Sequence, residues 1–504
     1  SRVPPHSATR PKVGGMSTTA VRVGLVAAVR AIRAGRPGVR ASGPETRSST
    51  ILSPCHRRPR RDSRPSSAAS GWFASASASS AAVAASPASP VDRNDPRFAT
   101  EVEVLAVRAP RSAVGGLMAK LRRHTLARPR LNRVQHLDDD HSLVLLDAAS
   151  CPVDGDRDAL PPNVLDALAS CGGTHECQLV THRVILGYDD LDVDECLRRV
   201  LPADVTVPRG FETAGRIAHL NLRDEHEPWK RVIAAVLIDK LPQIETVVNK
   251  TGETGGPFRT FAMEVLAGRG GDGPLETTVS ENGLVYDMDF RGMYWNSRLG
   301  TERARLVDSF DENDVVLDLC CGVGPIALPA SKKCLAVYAN DLNPATVAYL
   351  ERNARRNKGT SLAGVTNLDA GECLRMRIAE FETVARGEST FDEDERDLAR
   401  TRFTRVVMNL PQGSLELLPC FVGAFDRETW PPEFLPVVDV YAFSKSDDPE
   451  ADAGAHCAKE LGLEEDAAAL GDGVGYRRVR LVAPGKHMML VSFKLPERAA
   501  YAER

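Results

Sequence analysis

A glycine-rich segment in the second half of the chain has the residue types of a cofactor-binding loop. It reads Asp318-Leu-Cys-Cys-Gly322-Val-Gly324-Pro325, and it follows a short apolar run typical of a buried strand. Glycines let the backbone approach a ligand closely at the carboxyl end of a strand. Asp341 stands nineteen residues after Gly322, so the segment also fits a loose dinucleotide fingerprint in which that acid holds ribose hydroxyls.

Two polar residues favour S-adenosylmethionine over a dinucleotide. A carboxylate at Asp318 would repel a pyrophosphate but suits the cationic ammonium group of that cofactor. Asn409-Leu-Pro411 ends a later strand-like run and presents an amide and backbone carbonyls at which a planar base can be held. The structural alternatives are a simple turn residue at Asn409 and a helix cap at Asp341. Together, on consecutive strands, these residues predict a class I methyl-transfer site.

The elements that must position these residues form a regular alternation from residue 313 onward. Pro344 to Asn357 reads as a helix, with Asn343 as its N-cap and Pro344 at its first position. Alternating β and α units predict an α/β, Rossmann-like domain with a doubly wound parallel sheet. The polar, acidic stretch from Glu380 to Arg402 is interpreted as a surface insertion. The predicted strands are 315–319, 335–339, 364–368, 405–409, 437–443 and 488–493.

The length of 504 residues indicates several domains. We expect smaller α+β domains ahead of the methyltransferase domain, and a first unit with strands near 101–107 and 142–146 around a helix near 114–126. The expected division is listed here in chain order: 1–92, transit peptide or disordered basic tail; 93–150, small N-terminal domain; 151–178, linker or insertion; 179–290, middle α+β domain; 291–504, methyltransferase domain.

Charge is divided unevenly along the chain. Residues 1–90 carry a net charge of +12, which leaves −16 for the remainder. An acidic body excludes a global basic field for nucleic acid, so any RNA contact must be a local basic patch. No apolar run reaches the roughly 20 residues of a membrane helix, and no membrane association is expected. No Cys-x-x-Cys pair or suitable histidine spacing is present, so no metal is expected.

The N-terminal segment has the composition of a targeting sequence. Residues 1–44 contain no acid, and arginines such as Arg22, Arg30 and Arg33 alternate with Val26 and Ile32 on an amphipathic pattern. Basic, serine-rich and acid-poor segments are typical of organelle import signals. We therefore expect the mitochondrial matrix, with cytoplasm and nucleus as further compartments and the plastid as the alternative organelle. A disordered basic tail that touches RNA weakly is the other interpretation.

Several separated stretches resemble the tRNA guanine-37 N1-methyltransferase family of archaea and eukaryotes. The likeness runs from about residue 97 to the end and is weak in 148–178 and in the acidic stretch. The stretches that carry it are Phe211 to Arg223, Ile244 to Lys250, Phe258 to Gly268, Tyr294 to Arg303, the glycine loop, Ala339 to Pro344, Val407 to Pro411 and Tyr441 to Lys445.

The resemblance implies a cofactor, a substrate and an arrangement of RNA-binding domains ahead of the methyltransferase domain. The cofactor would be S-adenosylmethionine and the substrate a tRNA with guanosine at position 37, bound by a monomer. A small N-terminal domain would touch the outer corner of the tRNA, while the middle and methyltransferase domains would enclose its anticodon side. An acidic protein could then read tRNA shape and a splayed base through local cationic contacts.

The resemblance also assigns roles to residues. Guanine N1 must lose a proton, which requires a base there and a cation near O6. Glu302 matches the base, and partial burial would raise its pKa toward neutrality. Arg259 matches the group at O6. The other matches are listed by role: Tyr294, Arg298, Pro411 and Asn409 for the substrate base; Asp318, Gly322, Gly324, Asp341, Leu342, Asp369 and Asn409 for the cofactor.

Each of these roles has a structural alternative. Glu302 could be a capping-box glutamate, Arg259 a salt-bridged strand arginine, and Arg298 a residue that orients Glu302 from the same helical face. Asp369 would accept from the adenine amino group, but Ala370-Gly371 follows it where the family usually has Gly-Arg.

Three other functions compete with methyl transfer to guanosine. A wybutosine-pathway aminocarboxypropyltransferase would use the same cofactor, and Asn409 argues against it. The intact acid–glycine set and Glu302 argue against an RNA-binding module with a decayed cofactor site. A dinucleotide oxidoreductase is the most distant alternative.

Overall fold

The computed structural model describes residues 91–157, 160–170, 177–208, 210–256, 258, 260–388 and 402–503. The expectations for residues 1–90 and for Arg259 fall outside this part of the chain. Within it, no helix combines the length and apolar character needed to cross a membrane.

The first unit is a four-stranded antiparallel sheet covered by two helices. Its strands are β1 (Thr100–Pro110), β2 (Val134–His136), β3 (His141–Leu145) and β4 (Gln178–Leu186), in the order β2-β3-β1-β4. Helices α1 (Arg111–Leu121) and α2 (Pro162–Ser170) bury apolar side chains against one another and the sheet.

The expected boundaries of this unit are wrong in two respects. Strand β4 pairs with β1 from Thr100↔Leu186 to Arg108↔Gln178, so it belongs to the N-terminal sheet and not to the middle domain. The stretch expected to be a linker also contains α2, whose Val164 and Ala167 are fully buried. Local composition did not reveal either feature, because both depend on pairing partners distant in sequence.

The middle region is a second mixed sheet with two helices and a separate hairpin. Helices α3 (Val193–Val200) and α4 (Lys230–Lys240) share one core with the first sheet and the second. The second sheet has the order β5-β6-β7-β8. Its strands are β5 (Glu212–Ala214), β6 (Ile217–Leu220), β7 (Thr246–Gly255) and β8 (Thr260–Gly268), and the hairpin is β9 (Glu276–Glu281) with β10 (Leu284–Asp289).

The third sheet has seven strands in the order β13-β12-β11-β14-β15-β17-β16. They are β11 (Val315–Asp318), β12 (Ala336–Asn340), β13 (Gly364–Thr366), β14 (Arg405–Met408), β15 (Val437–Ser444), β16 (Gly475–Ala483) and β17 (Lys486–Lys494). The first five in spatial order are parallel, and β17 runs antiparallel to β15 and β16. The Rossmann-like α/β prediction and its six strands are confirmed, while the arginine-rich edge strand β16 was not predicted.

Helices flank the third sheet. They are α5 (Gly300–Asp308), α6 (Ala327–Ala330), α7 (Pro344–Arg356), α8 (Ala370–Ala385), α9 (Pro449–Glu460) and α10 (Glu497–Ala500). The predicted start of α7 is confirmed, because the Asn343 side chain accepts a hydrogen bond from the Ala345 N–H at 3.1 Å. The prediction of a surface insertion at 380–402 is wrong at its start, because Phe381 and Val384 of α8 are buried. Residues 389–401 lie outside the described part of the chain.

Two buried asparagines, one on α7 and one at its C-cap, attach the β9–β10 hairpin to the third sheet. The Asn353 amide accepts from the Asp287 N–H at 2.8 Å and donates to the Asp287 carbonyl at 3.1 Å. Asn357 does the same at Val285, at 2.9 and 2.8 Å. Each side chain imitates a neighbouring strand and satisfies buried backbone groups. The hairpin is thereby held on the helix that follows Asp341.

Candidate active site

A cleft opens at the carboxyl ends of β11, β12 and β14, the edge at which doubly wound sheets bind ligands. Asp318, Gly322, Asp341, Asp369 and Asn409 line it together with Tyr294 and Leu342, as predicted. The other predicted residues, Gly324, Arg298, Glu302 and Pro411, are not among its lining residues, and Arg259 lies outside the described chain.

Asp318 supplies a buried carboxylate that lacks a partner. Its side chain is fully inaccessible, and neither oxygen forms a hydrogen bond within the described residues. Burial raises the pKa of Asp318 to about 8; the nearby Cys320 N–H opposes this shift without meeting the geometry of a hydrogen bond, and the charge of Asp341 adds to it. An unpartnered buried carboxyl group is unfavourable by itself, so its presence in a cleft wall fits a cationic ligand group.

The glycine turn and Asp341 form one unit. Gly322 has φ of +55°, and its N–H donates to Asp341 Oδ2 at 2.9 Å. The other oxygen of Asp341 accepts from the Asn343 N–H at 3.0 Å, so Asp341 is not the cap of α7. Burial raises the pKa of Asp341 despite these two N–H donors. Each carboxylate oxygen can accept a second hydrogen bond, which leaves acceptors for ribose hydroxyls.

Gly324 is required by packing rather than by the ligand. Its φ is +96°, and a Cβ there would lie 2.6 Å from Leu350 Cδ1 and 2.7 Å from Leu328 Cγ. Close approach of α6 and α7 to the turn therefore accounts for this glycine, and a cofactor contact at Gly324 stays a prediction.

Asp369 is the N-cap of α8. Its Oδ1 accepts from the Gly371 N–H at 2.9 Å and from the Glu372 N–H at 3.3 Å, while Oδ2 takes no part in the cap. The glycine at position 371 has a local reason, since a Cβ there would lie 2.4 Å from Cys420 Sγ. The arginine that the family usually has at this position therefore does not fit here without a shift.

Asn409 sits in a turn that a buried serine holds closed. The Ser414 hydroxyl donates to the Met408 carbonyl at 2.7 Å and accepts from the Leu410 N–H at 3.1 Å. The Gly413 N–H also donates to the Leu410 carbonyl at 2.7 Å. Sequence reasoning missed Ser414, although a serine three residues after Asn-Leu-Pro is a local turn signal.

Exposed apolar side chains surround the mouth of the cleft. Phe258 and Tyr294 are each 43% exposed, and Leu342 is 46% exposed. All three line the cleft. The rings of Phe258 and Tyr294 offer flat surfaces to a purine, and Phe258 was not predicted.

Glu302 is not among the residues that line the cleft. It is only 7% exposed, and its carboxylate accepts from Arg305 at 2.7 and 3.0 Å, from Arg477 Nε at 2.8 Å and from the Tyr441 hydroxyl at 3.2 Å. Burial alone would raise the pKa of Glu302, but the two guanidinium groups outweigh it and hold that pKa below its usual value. The expected upward shift is therefore wrong. The capping-box alternative is also wrong, because no side chain caps α5.

Arg298 and Arg303, which are close to Glu302 in sequence, do not contact its carboxylate. Arg298 does not orient Glu302; its guanidinium lies 3.0 Å from Glu212 Oε1 on β5. Arg303 lines the cleft instead, buried over the Trp295 ring at 4.6 Å and paired with Glu281 at 2.9 Å. Its Nε has no hydrogen-bond partner within the described residues. Sequence reasoning missed Arg303, and the one feature that could have indicated it is its position directly after Glu302 on a helix.

Comparison with known proteins is consistent with this geometry. A model described as "TYW2 N-terminal domain" matches residues 193–271, and one described as "TRM5/TYW2 methyltransferase domain" matches residues 277–382. A tRNA (guanine(37)-N(1))-methyltransferase of Phytophthora infestans is 37% identical over 413 residues, which cover 80% of this chain and 92% of that protein. The chain belongs to the tRNA (guanine(37)-N1)-methyltransferase family.

A second relative is longer than this chain, and a solved structure shares its fold at low sequence identity. A Vitis vinifera protein named tRNA (guanine(37)-N(1))-methyltransferase 1 is 44% identical over 332 residues, which cover 66% of this chain and 50% of that protein. The chain therefore spans about half the length of this plant relative. A solved complex of aTrm5 with tRNALeu superposes with a TM-score of 0.52 at 21% identity, over 78% of this chain and 100% of that one, and shares the fold.

Proposed function

We propose that this protein transfers the methyl group of S-adenosylmethionine to N1 of guanosine 37 in tRNA. The observation that carries the proposal is the unpartnered Asp318 carboxylate beside the glycine turn, one strand away from Asn409 in the same cleft. This is the arrangement expected for a cationic cofactor next to a planar base, in a chain of the tRNA (guanine(37)-N1)-methyltransferase family.

The residues of the cleft suit the parts of the cofactor. S-adenosylmethionine supplies a methyl group already activated as a sulfonium. Asp318 would hold its ammonium group, Asp341 the ribose hydroxyls and Asp369, through Oδ2, the adenine amino group. The role of the protein is then to bind, orient and exclude water, which converts a bimolecular encounter into a reaction within one site.

The substrate base would enter beside Asn409 and Tyr294. Charge gathers on guanine O6 as N1 loses its proton, and a nearby cation lowers the energy of that state. In this proposal Arg259 serves that purpose, while the buried Arg303 in the cleft wall is already paired with Glu281.

Glu302 remains our proposed base, although its carboxylate faces Arg477 and Arg305 in the free protein. Its backbone adjoins the cleft through Arg303, so the proton transfer requires a change of side-chain rotamer and the loss of at least one arginine contact. A carboxylate with a lowered pKa is always ionised near neutral pH, which provides the correct charge state but a weaker base.

The test uses the full chain, tRNA transcripts with G or A at position 37, and S-adenosylmethionine labelled either in its methyl group or in its carboxyl group. After digestion, mass spectrometry identifies the modified nucleoside. We expect methyl label in 1-methylguanosine with the G37 transcript and no product with A37. Carboxyl label in the nucleoside would indicate aminocarboxypropyl transfer, and modification at another position would exclude the proposed function.

We further propose that the protein acts as a monomer and that residues 1–92 direct it to the mitochondrial matrix, with cytoplasmic and nuclear pools. The support is the acid-poor, arginine-rich composition of this segment, whose first 44 residues contain no acid. A fluorescent fusion of residues 16–90 should enter mitochondria; entry into plastids or diffuse fluorescence would contradict the proposal. Light scattering of the purified chain should give the mass of one copy.

A further inference from the structure

The hairpin formed by β16 and β17 ends at the same edge of the sheet as the cleft. Strand β15 runs parallel to β14, and its last pair with β17 is Ser444↔His487. The hairpin continues to Ala483↔Lys486, so its turn lies beyond the end of β15. At the usual strand spacing, the turn is roughly 10–15 Å from Asn409 across the sheet edge.

The end of this hairpin combines free cations with exposed apolar side chains. We call Lys445, Arg480, Leu481, Val482 and Lys486 the hairpin surface. Within the described residues no carboxylate lies within ion-pair distance of its three cations, and Lys486 Nζ lies 4.2 Å from the Phe443 ring centroid. Leu481 is 55% exposed and Val482 is 37% exposed.

Within the described residues, neighbouring carboxylates form no ion pair with the cations of this surface. Arg477 and Arg478, on the same strand, pair with Glu302 at 2.8 Å and Glu450 at 3.2 Å. Asp447 and Asp448 follow Lys445 in the chain, and the Asp448 carboxylate accepts from the Ala451 N–H as the N-cap of α9. The cations of the hairpin surface are thus available on a body whose net charge is −16.

We propose that the hairpin surface binds the sugar–phosphate backbone of the tRNA whose base enters the cleft. This proposal rests on the proposed function for the identity of the RNA. Lysine and arginine neutralise phosphates, while Leu481 and Val482 offer an apolar contact to ribose and base faces. The position at the cleft edge favours RNA over other anionic partners, because a base held at Asn409 brings its neighbouring phosphates toward this side of the sheet.

A structural explanation of the same residues must be distinguished from RNA binding. Strand β16 is the edge of the seven-stranded sheet, and charged residues on edge strands prevent pairing with other chains. That explanation predicts loss of solubility when the charges are removed, and no change in affinity for RNA.

The experiment compares the full chain with three variants. Arg480→Gln combined with Lys486→Gln removes two free cations, and Leu481→Ser combined with Val482→Ser removes the apolar pair. Arg478→Gln is the matched control, because it removes an exposed arginine of the same strand that already has a carboxylate partner. The dissociation constant for a G37 tRNA transcript is measured by fluorescence anisotropy across a KCl series, and thermal unfolding is recorded for every protein.

We expect the charge variant to raise the dissociation constant about tenfold and to reduce the slope of log K against log[KCl] by roughly 1–2. The apolar variant should weaken binding several-fold with an unchanged slope, and the control should match the wild type. Unchanged affinity and slope in folded charge and apolar variants would overturn the proposal, as would aggregation of the charge variant with normal affinity.

Methylation of the same transcript by the wild type keeps the two proposals separate. If the wild type binds tRNA through the hairpin surface but does not methylate G37, the proposed function fails and RNA binding stands. If it methylates G37 and the charge variant binds normally, the inference about the hairpin surface fails alone.

Discussion

Glu302 on helix α5 accepts a hydrogen bond from Arg477 on edge strand β16 at 2.8 Å, across 175 positions of the chain. Arg305 and Tyr441 complete the set of donors around this carboxylate. The contact joins the helix that borders the cleft to the hairpin at the edge of the sheet. It also keeps the pKa of Glu302 below its usual value, which changes what kinetics should show.

Glu302→Gln should lower the rate of single-turnover methyl transfer by about 10²–10⁴, the usual contribution of a general base. Because the pKa of Glu302 is lowered, the carboxylate is already ionised throughout the neutral range, and the loss should be the same at each pH tested there. Quenched-flow measurements with labelled cofactor give the rate, and Glu450→Gln serves as the control. Wild-type speed in Glu302→Gln would assign the base to another residue.

Arg477→Gln should raise the pKa of Glu302. It should also reduce the free energy of unfolding by about 1 kcal/mol, which is the contribution of a hydrogen bond between charged groups, lowered because the arginine is exposed to solvent. A carboxylate with a lowered pKa in the folded state contributes stability above its unfolded pKa and loses it as pH falls through the folded value. The difference in Tm between wild type and variant should therefore be present at neutral pH and vanish in acid. A difference that persists in strong acid would mean that Arg477 stabilises by packing alone.

Asp318 should link cofactor binding to pH. With a pKa of about 8 in the free protein, its carboxyl group is largely protonated at neutral pH, and a bound cation would favour the ionised form. Binding then releases a proton, so affinity for S-adenosylmethionine should rise with pH up to about 8 and level off above it. Calorimetry in buffers of different ionisation enthalpy measures the released proton directly. A flat affinity profile would place the ammonium group elsewhere.

The same carboxyl group should lower the stability of the free protein as pH rises. Unfolded Asp318 ionises near pH 4, whereas the folded group retains its proton to about pH 8, so the folded state binds more protons between these values. Asp318→Asn should accordingly raise Tm above pH 4, increasingly toward pH 8, while abolishing tight cofactor binding. Equal Tm values for the two proteins at pH 8 would contradict the raised pKa.

Ser414→Ala should disturb the Asn409 turn. The substitution leaves the Met408 carbonyl and the Leu410 N–H without their side-chain partner, at about 1–3 kcal/mol for buried polar groups. We expect slower methyl transfer together with a lower Tm, and the exposed Ser361→Ala should change neither. Normal kinetics in Ser414→Ala would show that the turn is held by its backbone bonds alone.

Local sequence signals were sufficient for the parallel sheet and the cofactor side of the cleft. Apolar runs, the glycine turn and the acids at strand ends act within a few residues, and the carboxyl ends of parallel strands meet at one edge by geometry. Asp318, Asp341, Asp369 and Asn409 therefore line one cleft, as their spacing indicated. The capping of α7 by Asn343 is equally local.

Only the tertiary structure decided which side chains face the cleft and which partners they have. Glu302 and Arg303 are neighbours in sequence, yet one is buried against Tyr441 and Arg477 and the other lines the cleft with Glu281 as its partner. The pairing of β4 with β1 and the hydroxyl of Ser414 behind Asn409 were likewise not anticipated. Burial and long-range ion pairs set both orientation and pKa, and these depend on residues brought together by folding, which spacing along the chain does not encode.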